Sequence, residues 1–426
     1  MQFFNQLGEL IEQRWRDKNY DETSFPEIAA AALNEMPPHR HIATDAILQW
    51  VQAKNNLPRQ MDVEGRFGNP PITLYVGQRF YIDVYFWLDG TTSIHQHSFC
   101  GAFQVLQGSS IHSRYDFDLE QNINQHLATG QVQFKNVELL QVGGTRQIAS
   151  GKQFIHALFH LDRPSATICV RTPQDIKTLP QYDYLKPYLA RDPFFRNEML
   201  TKKMQTLNLL FGMKHPETDA FMGELISTAD FQTTFSALDM AFNYLTADPT
   251  QTLFKLTGGT ERFQRLLEQA RRRHGELIDL IPPVFDEIKR QNAIVGKRAY
   301  VSDSDLRFFL ALLLNVPDKR MILELVKQRF PESEPAAMIG AWVMELANTK
   351  AFGTTEPNLL GIADFDEDYR FVLERLMEGN TTEQIQTAIK QQFPTDYGES
   401  LLEDLEMICR QVREAGLFKA LFAEQG

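Results

Sequence analysis

The stretch that decides the fold of this chain is WLDGTTSIHQHSFCGAFQVLQG, residues 87–108. Within it, His95 and His97 are separated by one residue in a segment of β-type composition. Successive side chains of a strand point to opposite faces, so these two imidazoles share one face. Two imidazoles on one face suit a metal ion better than they suit an apolar core. We therefore expect a metal site on this strand.

A second pair of histidines lies in the segment GKQFIHALFH, residues 151–160. His156 and His160 are four residues apart, so they also share a face if the segment is a strand. A single His-x-His occurs often by chance, but a third histidine on a second strand makes the signal stronger. The sequence therefore predicts three or four imidazoles that converge inside a β-structure.

Length and charge limit the kinds of protein that this chain can be. It has 426 residues and a formal net charge of −12, which predict two or three domains and argue against nucleic-acid or anionic-membrane partners. The three cysteines, Cys100, Cys169 and Cys409, give neither a disulfide framework nor a CxxC zinc pattern. With no signal peptide and no long apolar run, the sequence predicts a cytoplasmic protein.

Three regions of the chain differ in their patterning. Residues 1–58 carry apolar side chains at helical spacing and predict a helical segment that packs on a neighbouring domain. Residues 59–178 contain short β-type runs between turn residues and predict an antiparallel sandwich or barrel. A proline-spaced linker is expected from Pro173 to about Pro193, and helical periodicity over residues 190–426 predicts an all-α domain. The expected fold class is therefore α+β.

The segment Phe80–Trp87 alternates cleanly between two kinds of side chain. One face carries Phe80, Ile82, Val84 and Phe86, and the other carries Tyr81, Asp83, Tyr85 and Trp87. This pattern indicates a strand with helices on its apolar face and a pocket on the other, with Tyr85 and Trp87 as candidate substrate-binding residues. The alternative is that the more polar face lies in solvent.

The histidine motifs resemble those of the cupins, a family of metal-binding β-barrels. The first cupin motif is Gly-x5-His-x-His-x3,4-Glu-x6-Gly, and the similar positions here are Gly90, His95, His97, Gly101 and Gly108. The chain is one residue shorter after the first glycine, and Gly101 stands where the family has its glutamate ligand. His156 matches the histidine of the second motif, and His160 replaces its asparagine. The resemblance implies a jelly-roll barrel over about residues 70–173.

Within the cupins, the chain is most similar to cysteine dioxygenase and related thiol dioxygenases. The shared positions are Trp87, Asp89-Gly90, Ser93–His97 and Leu106–Gly108. Those enzymes also lack the glutamate and hold ferrous iron with three histidines. The resemblance implies that His95, His97 and His156 bind Fe(II), or another divalent metal, with His160 as a fourth ligand or as a residue behind the ligands. It also implies a small-molecule substrate and dioxygen.

Departures from the thiol dioxygenase pattern bear on the substrate. Arg171 stands near the place of the family's tyrosine, and Cys100 precedes the position where some members carry a cysteine. The family's substrate-binding arginine should lie about ten residues before Phe80, but the nearest arginines are Arg66 and Arg79. Arg171 is a candidate carboxylate anchor, since a guanidinium binds a carboxylate through two parallel hydrogen bonds. The alternative is that Arg171 pairs with a structural acid at the domain junction.

These observations predict an Fe(II)-dependent oxygenase that acts on a small molecule other than free cysteine. A second hypothesis is a non-catalytic cupin that binds a metal or ligand and whose helical domain binds a protein partner. A closed site of four histidines on zinc would favour that second hypothesis, because no coordination position would remain open.

Overall fold

A computed structural model describes residues 2–54, 56–65, 67–246, 258–352 and 356–422 of the chain. Helices lie at both ends of the chain and strands lie between them, so the α+β fold class is confirmed. The strands are β1 (Pro71–Val76), β2 (Tyr81–Trp87), β3 (Ile94–His97), β4 (Gly101–Gln107), β5 (Ser110–Asn124), β6 (Leu127–Leu140), β7 (Thr145–Ile148), β8 (Gly151–His160), β9 (Ser165–Arg171), β10 (Asp183–Leu185) and β11 (Leu189–Arg191).

The strands form two sheets in which neighbouring strands are antiparallel. One sheet has the order β1-β2-β9-β4-β7, and the other has the order β10-β11-β6-β5-β8-β3 and closes into a barrel because β10 also pairs with β3. Side chains from both sheets, among them Trp87, Phe103 and Phe154, pack together in one buried cluster. A different cluster, which includes Tyr115 and Ile155, is drawn only from strands of the closed barrel. Strand β8 therefore presents one face to the five-stranded sheet and the other to the barrel interior.

The segment that the sequence analysis interpreted as a linker contains two strands of the barrel. Asp183 of β10 lies opposite His95, and Leu189 of β11 lies opposite Thr129 of β6. The linker prediction is therefore wrong, and the β-region ends at Arg191 rather than near residue 178. Strands of three residues are too short to show alternation, and their pairing partners lie far away in the sequence.

The N-terminal helices are α1 (Gln2–Arg16), α2 (Phe25–Glu35) and α3 (Thr44–Ala53). Their apolar side chains form one buried cluster with the apolar face of β2, and its members include Phe4, Leu7, Ile11, Trp15, Phe25, Phe80, Ile82, Val84 and Phe86. The prediction that helices cover this face of the strand is confirmed. The other face of β2 is left to line the space between the two sheets.

The helices of the C-terminal region begin at Glu198. They are α4 (Glu198–Gly212), α5 (Thr218–Thr228), α6 (Phe231–Thr246), α7 (Gly258–His274), α8 (Ile281–Lys297), α9 (Ser304–Asn315), α10 (Lys319–Arg329), α11 (Pro335–Asn348), α12 (Glu367–Met377), α13 (Thr382–Gln392), α14 (Thr395–Glu414) and α15 (Lys419–Phe422). No helix within the described ranges has the length and apolar character needed to cross a membrane.

The C-terminal helices have two buried cores, and each core includes side chains of the barrel. The first contains residues of α4 to α8 together with Leu127 and Leu189. The second runs from the end of α8 to α15 and includes Ile111, Phe159 and Leu161. The helical region is therefore packed directly on the barrel through shared apolar cores.

Candidate metal centre

Three buried imidazoles meet in the space between the two sheets. They belong to His95 and His97 of β3 and to His156 of β8, and one ligand atom of each lies within 4.8 Å of the others. Atom Nε2 of His97 lies 2.8 Å from Nε2 of His156. Two nitrogens bound at about 2.1 Å to one ion, at a right angle, lie about 3 Å apart. The spacing of these nitrogens therefore fits a shared divalent ion.

The hydrogen bonds of His95 leave its second nitrogen free for a metal. Nδ1 lies 2.8 Å from the carbonyl oxygen of Ser93, and because a carbonyl only accepts, Nδ1 carries the proton. Nε2 is buried and has no hydrogen-bond partner. Burial lowers the pKa of His95, so the ring is neutral and Nε2 carries an unshared lone pair. A buried orphan acceptor of this kind is what a metal ion would satisfy.

A fourth histidine, which the sequence analysis missed, supports His156 from behind. Nε2 of His112 lies 3.0 Å from Nδ1 of His156, and Nδ1 of His112 lies 2.8 Å from Oε1 of Glu138. Arg146 donates hydrogen bonds from two of its nitrogens to the same carboxylate. Four side chains thus form a chain of contacts, the relay Arg146–Glu138–His112–His156.

The charges of the relay fix the positions of its protons. Burial alone would raise the pKa of Glu138, but the hydrogen bonds and charges of Arg146 and His112 outweigh it and lower the pKa to about 2. Burial lowers the pKa of His112, so this ring holds one proton, which Nδ1 donates to the carboxylate. Its Nε2 then accepts from Nδ1 of His156. The lone pair of His156 is consequently on Nε2, the atom that faces His97.

His160 lies outside this cluster, although it shares a face of β8 with His156. Its Nδ1 is 2.9 Å from Oγ of Ser110, and its ring stacks on Trp87 with the ring centroids 4.6 Å apart. Four residues along a strand span about 13 Å, so the side chains of His156 and His160 are too far apart to bind the same ion. The structure therefore places His160 against the wall formed by Trp87 and not in a fourth ligand position.

Gly101, which stands where the cupin motif has its glutamate, has no room for a side chain. A Cβ atom at Gly101 would lie only 2.0 Å from the carbonyl oxygen of Val170, so no longer side chain fits there. The neighbouring Cys100 contacts Thr172 with its Sγ and packs with the N-terminal helices. Neither residue contributes a ligand, and among the described residues the cluster consists of three histidines without a carboxylate.

A cavity of about 200 Å³ adjoins the three histidines. Its other walls are mainly aromatic and apolar, and they include Phe67, Tyr85, Trp87, Phe99, Phe103, Ile148, Leu158 and Phe194. All three residues predicted to bind substrate, Tyr85, Trp87 and Arg171, line this cavity. The rings of Phe67, Tyr85 and Trp87 pack edge to face at one side of it.

Of the residues that the structure describes, Arg171 is the one cationic side chain that lines this cavity. Its Cζ atom lies 3.4 Å from the ring centroid of Phe99, and its Nε is buried without a hydrogen-bond partner. Within the described residues, no carboxylate lies within 4.0 Å of its guanidinium, so the predicted alternative of an ion pair at the domain junction is not found. Arg79 lies over the ring of Tyr20 on the helical side of the sheet, and Arg66 is outside the described residues.

A buried acid lies near Arg171 without pairing with it. Oδ2 of Asp83 accepts a hydrogen bond of 3.0 Å from the hydroxyl of Tyr85, and its Oδ1 has no partner. Burial raises the pKa of Asp83, and the attraction of Arg171 only partly offsets this. Burial also keeps the pKa of Tyr85 well above its usual value, so its hydroxyl stays protonated. Nε of Arg171, which is buried without a hydrogen-bond partner, is a donor that remains for a ligand in the cavity.

Comparison with models of known protein families gives no match to this chain, and no curated protein matches it either. The functional assignment consequently depends on the geometry and chemistry of the histidine cluster and of the cavity beside it.

Proposed function

We propose that this protein is an Fe(II)-dependent oxygenase of the cupin class, similar to thiol dioxygenases, with His95, His97 and His156 as the metal ligands. The observation that carries the proposal is a set of three buried imidazoles that line a small cavity, with no fourth ligand side chain in the cluster among the described residues. Structural zinc sites use four protein ligands, whereas catalytic metals keep positions open. The open cluster therefore favours a catalytic metal.

When bound, ferrous iron would supply neighbouring open positions for substrate and dioxygen, together with the electrons that oxygen activation needs. The chain itself holds the ligand atoms in place. The carbonyl of Ser93 fixes the ring of His95, and His112 with Glu138 fixes the ring of His156. The imidazoles of His95 and His156 are thereby kept in the tautomer that directs Nε2 at the shared site.

The cavity indicates the kind of substrate. Arg171 is the positively charged side chain among the described residues that line the cavity, and a bound metal ion would add further positive charge. The three imidazoles are neutral because burial lowers the pKa of each. The guanidinium, braced by the ring of Phe99, can donate two parallel hydrogen bonds to a carboxylate. A volume of about 200 Å³ with aromatic walls admits a small molecule. The proposed substrate is a small organic acid.

Free cysteine is not the proposed substrate. Among the described residues, the upstream arginine that thiol dioxygenases use for the carboxylate has no counterpart in this cavity. The lining cation there is Arg171, on the central strand of the five-stranded sheet, β9. An acid held by Arg171 approaches the histidines from a different wall. The accepted molecule should then differ from cysteine in length or in the orientation of its donor atom.

The test is oxygen consumption by protein reconstituted anaerobically with one Fe(II) per chain. The acids to compare are cysteine, 3-mercaptopropionate, and longer thiol and amine acids, with Arg171→Met and Arg79→Met as matched variants. Both arginines stack on an aromatic ring, but only Arg171 lines the cavity. We expect turnover of an acid other than cysteine, and at least a tenfold loss of kcat/KM in Arg171→Met alone.

Two outcomes would contradict the proposal. Efficient turnover of cysteine that is unaffected by Arg171→Met would refute the account of the substrate. Iron-loaded protein that consumes no oxygen with any acid would refute the oxygenase and leave a non-catalytic metal-binding protein.

A further inference from the structure

The turn that precedes strand β3 is held by a buried arginine of the helical region. Arg298 follows α8 directly and is only 2% exposed. Its guanidinium donates hydrogen bonds to the carbonyl of Gly90 at 2.7 Å, to Oγ1 of Thr91 at 2.6 Å, and to the carbonyl of His160. One side chain therefore ties together the turn before β3 and the end of β8, more than 100 residues away in sequence from both.

A second arginine strengthens this contact. Arg307 of α9 is 1% exposed and donates to Oδ1 of Asp89 at 2.7 Å, and Nε of Arg298 lies 3.8 Å from the same oxygen. Each guanidinium retains one buried nitrogen without a partner. Burial, and then the charge of Arg307, lower the pKa of Arg298 to about 10. Two buried cations that share one carboxylate are a poor device for stability alone, because burial of a charge is costly.

The segments that Arg298 connects carry two of the three proposed metal ligands. Beyond the turn, the carbonyl of Ser93 holds Nδ1 of His95 at 2.8 Å. Thr92 exchanges two hydrogen bonds with Leu158, its amide donating to the carbonyl and its hydroxyl accepting from the amide. Leu158 is two residues from His156 on β8, and Thr92 itself lines the cavity. The turn is thus continuous with the supports of both ligands.

We propose that Arg298 is a positioning residue of the metal centre, through which the helical region fixes the relative placement of His95 and His156. This inference rests on the proposed metal site, and it gives the helical region a role in that site beyond its own packing. A displacement of α8 relative to the barrel moves the turn at residues 89–91, and with it the carbonyl that orients the ring of His95.

The test compares Arg298→Lys with Arg329→Lys in the full chain. Arg329 of α10 is also largely buried, donates to Asp305 at 2.9 Å, and lies over the ring of Phe308, so its contacts stay within the helical region. A lysine keeps the charge but lacks the rigid, planar fork of donors with which a guanidinium reaches several acceptors at fixed positions. We expect Arg298→Lys to weaken Co(II) binding by about tenfold, as for other groups that orient metal ligands, and to alter the visible spectrum of bound Co(II).

Arg329→Lys should keep both the affinity for Co(II) and the spectrum of bound Co(II). This should hold even if the melting temperature of Arg329→Lys falls as far as that of Arg298→Lys. Equal changes in the two variants, or none in either, would overturn the inference. If Arg298→Lys does not fold, Thr91→Val removes one acceptor of the same guanidinium, and it should shift Co(II) affinity in the same direction by a smaller factor.

A second readout does not need a metal. Amide hydrogen exchange of the metal-free chain should accelerate at least tenfold over residues 88–97 in Arg298→Lys and remain unchanged there in Arg329→Lys. Unchanged exchange in Arg298→Lys would refute the inference. If the unaltered chain binds no Co(II) at all, the proposed metal site fails, while the exchange measurement still decides whether Arg298 holds the turn.

Discussion

Replacement of Glu138 by glutamine should weaken metal binding without removing any metal ligand. The side chain of glutamine has nearly the shape of glutamate and can still accept a hydrogen bond from Nδ1 of His112. In the unaltered chain this nitrogen lies 2.8 Å from Oε1 of Glu138. Glutamine carries no charge, however, so His112 becomes a poorer acceptor for the proton on His156. The lone pair that His156 offers to the metal is then less basic.

The size of the effect follows from the position of Glu138. Loss of a partner behind a metal-binding histidine typically costs about 10- to 100-fold in metal affinity, which is about 1.4 to 2.7 kcal/mol. The side chain of Glu138 is 33% exposed and shares its charge with Arg146, so solvent screens part of the interaction. We therefore expect the lower end of this range, a loss of about tenfold.

The assay is competition between the protein and a chelator for Co(II) or Zn(II), with circular dichroism to show that the fold is kept. The matched control is Asp192→Asn. Nδ1 of His126 lies 2.8 Å from Oδ2 of Asp192, the same kind of contact, but neither residue lies in the metal cluster or lines its cavity. The reasoning is refuted if Glu138→Gln keeps full affinity, or if Asp192→Asn loses as much.

Two further predictions concern stability. Burial, aided by the charge of Arg298, lowers the pKa of His160 to about 3, so between that value and the unfolded value of about 6.5 only the unfolded chain takes up the proton. The contribution of His160 to the free energy of unfolding is therefore fully present above pH 7 and declines below it. Urea unfolding of the metal-free chain at pH 5.5 should show a loss from His160 alone of about 1.4 kcal/mol relative to pH 7.5. Equal stability at both pH values would contradict this. Gly101→Ala should destabilise the chain by at least about 2 kcal/mol, because its Cβ meets the carbonyl of Val170. Gly212→Ala at the end of α4, where nothing lies within 4 Å, should be neutral or slightly stabilising in the same unfolding assay.

Much of the arrangement around β2 and β3 could be predicted because it depends on local alternation. The pattern of Phe80–Trp87 separated the face under the N-terminal helices from the face that lines the cavity. The His-x-His spacing placed His95 and His97 on one face, and the cupin motif indicated His156 as their companion. These inferences needed only a period of two and the spacing of a few motif residues.

The residues that were missed act through pairing between distant segments. His112 lies near the start of β5, and the pairing of β5 with β8 brings it behind His156. Arg298 follows a helix and carries no local signal of its contact with Gly90. The short strands β10 and β11 were interpreted as a linker for the same reason, since their hydrogen bonding to β3 and β6 joins segments that are far apart in the sequence.

The measurement that tests the central proposal most directly is the metal content of the purified full chain. Elemental analysis should find a single divalent ion per chain in the unaltered protein and in His126→Ala, whose imidazole lies outside the cluster. His95→Ala, His97→Ala and His156→Ala should each lose most of this metal while the helical circular dichroism signal is kept. Full metal occupancy in His97→Ala would contradict the proposal that these three imidazoles share one ion.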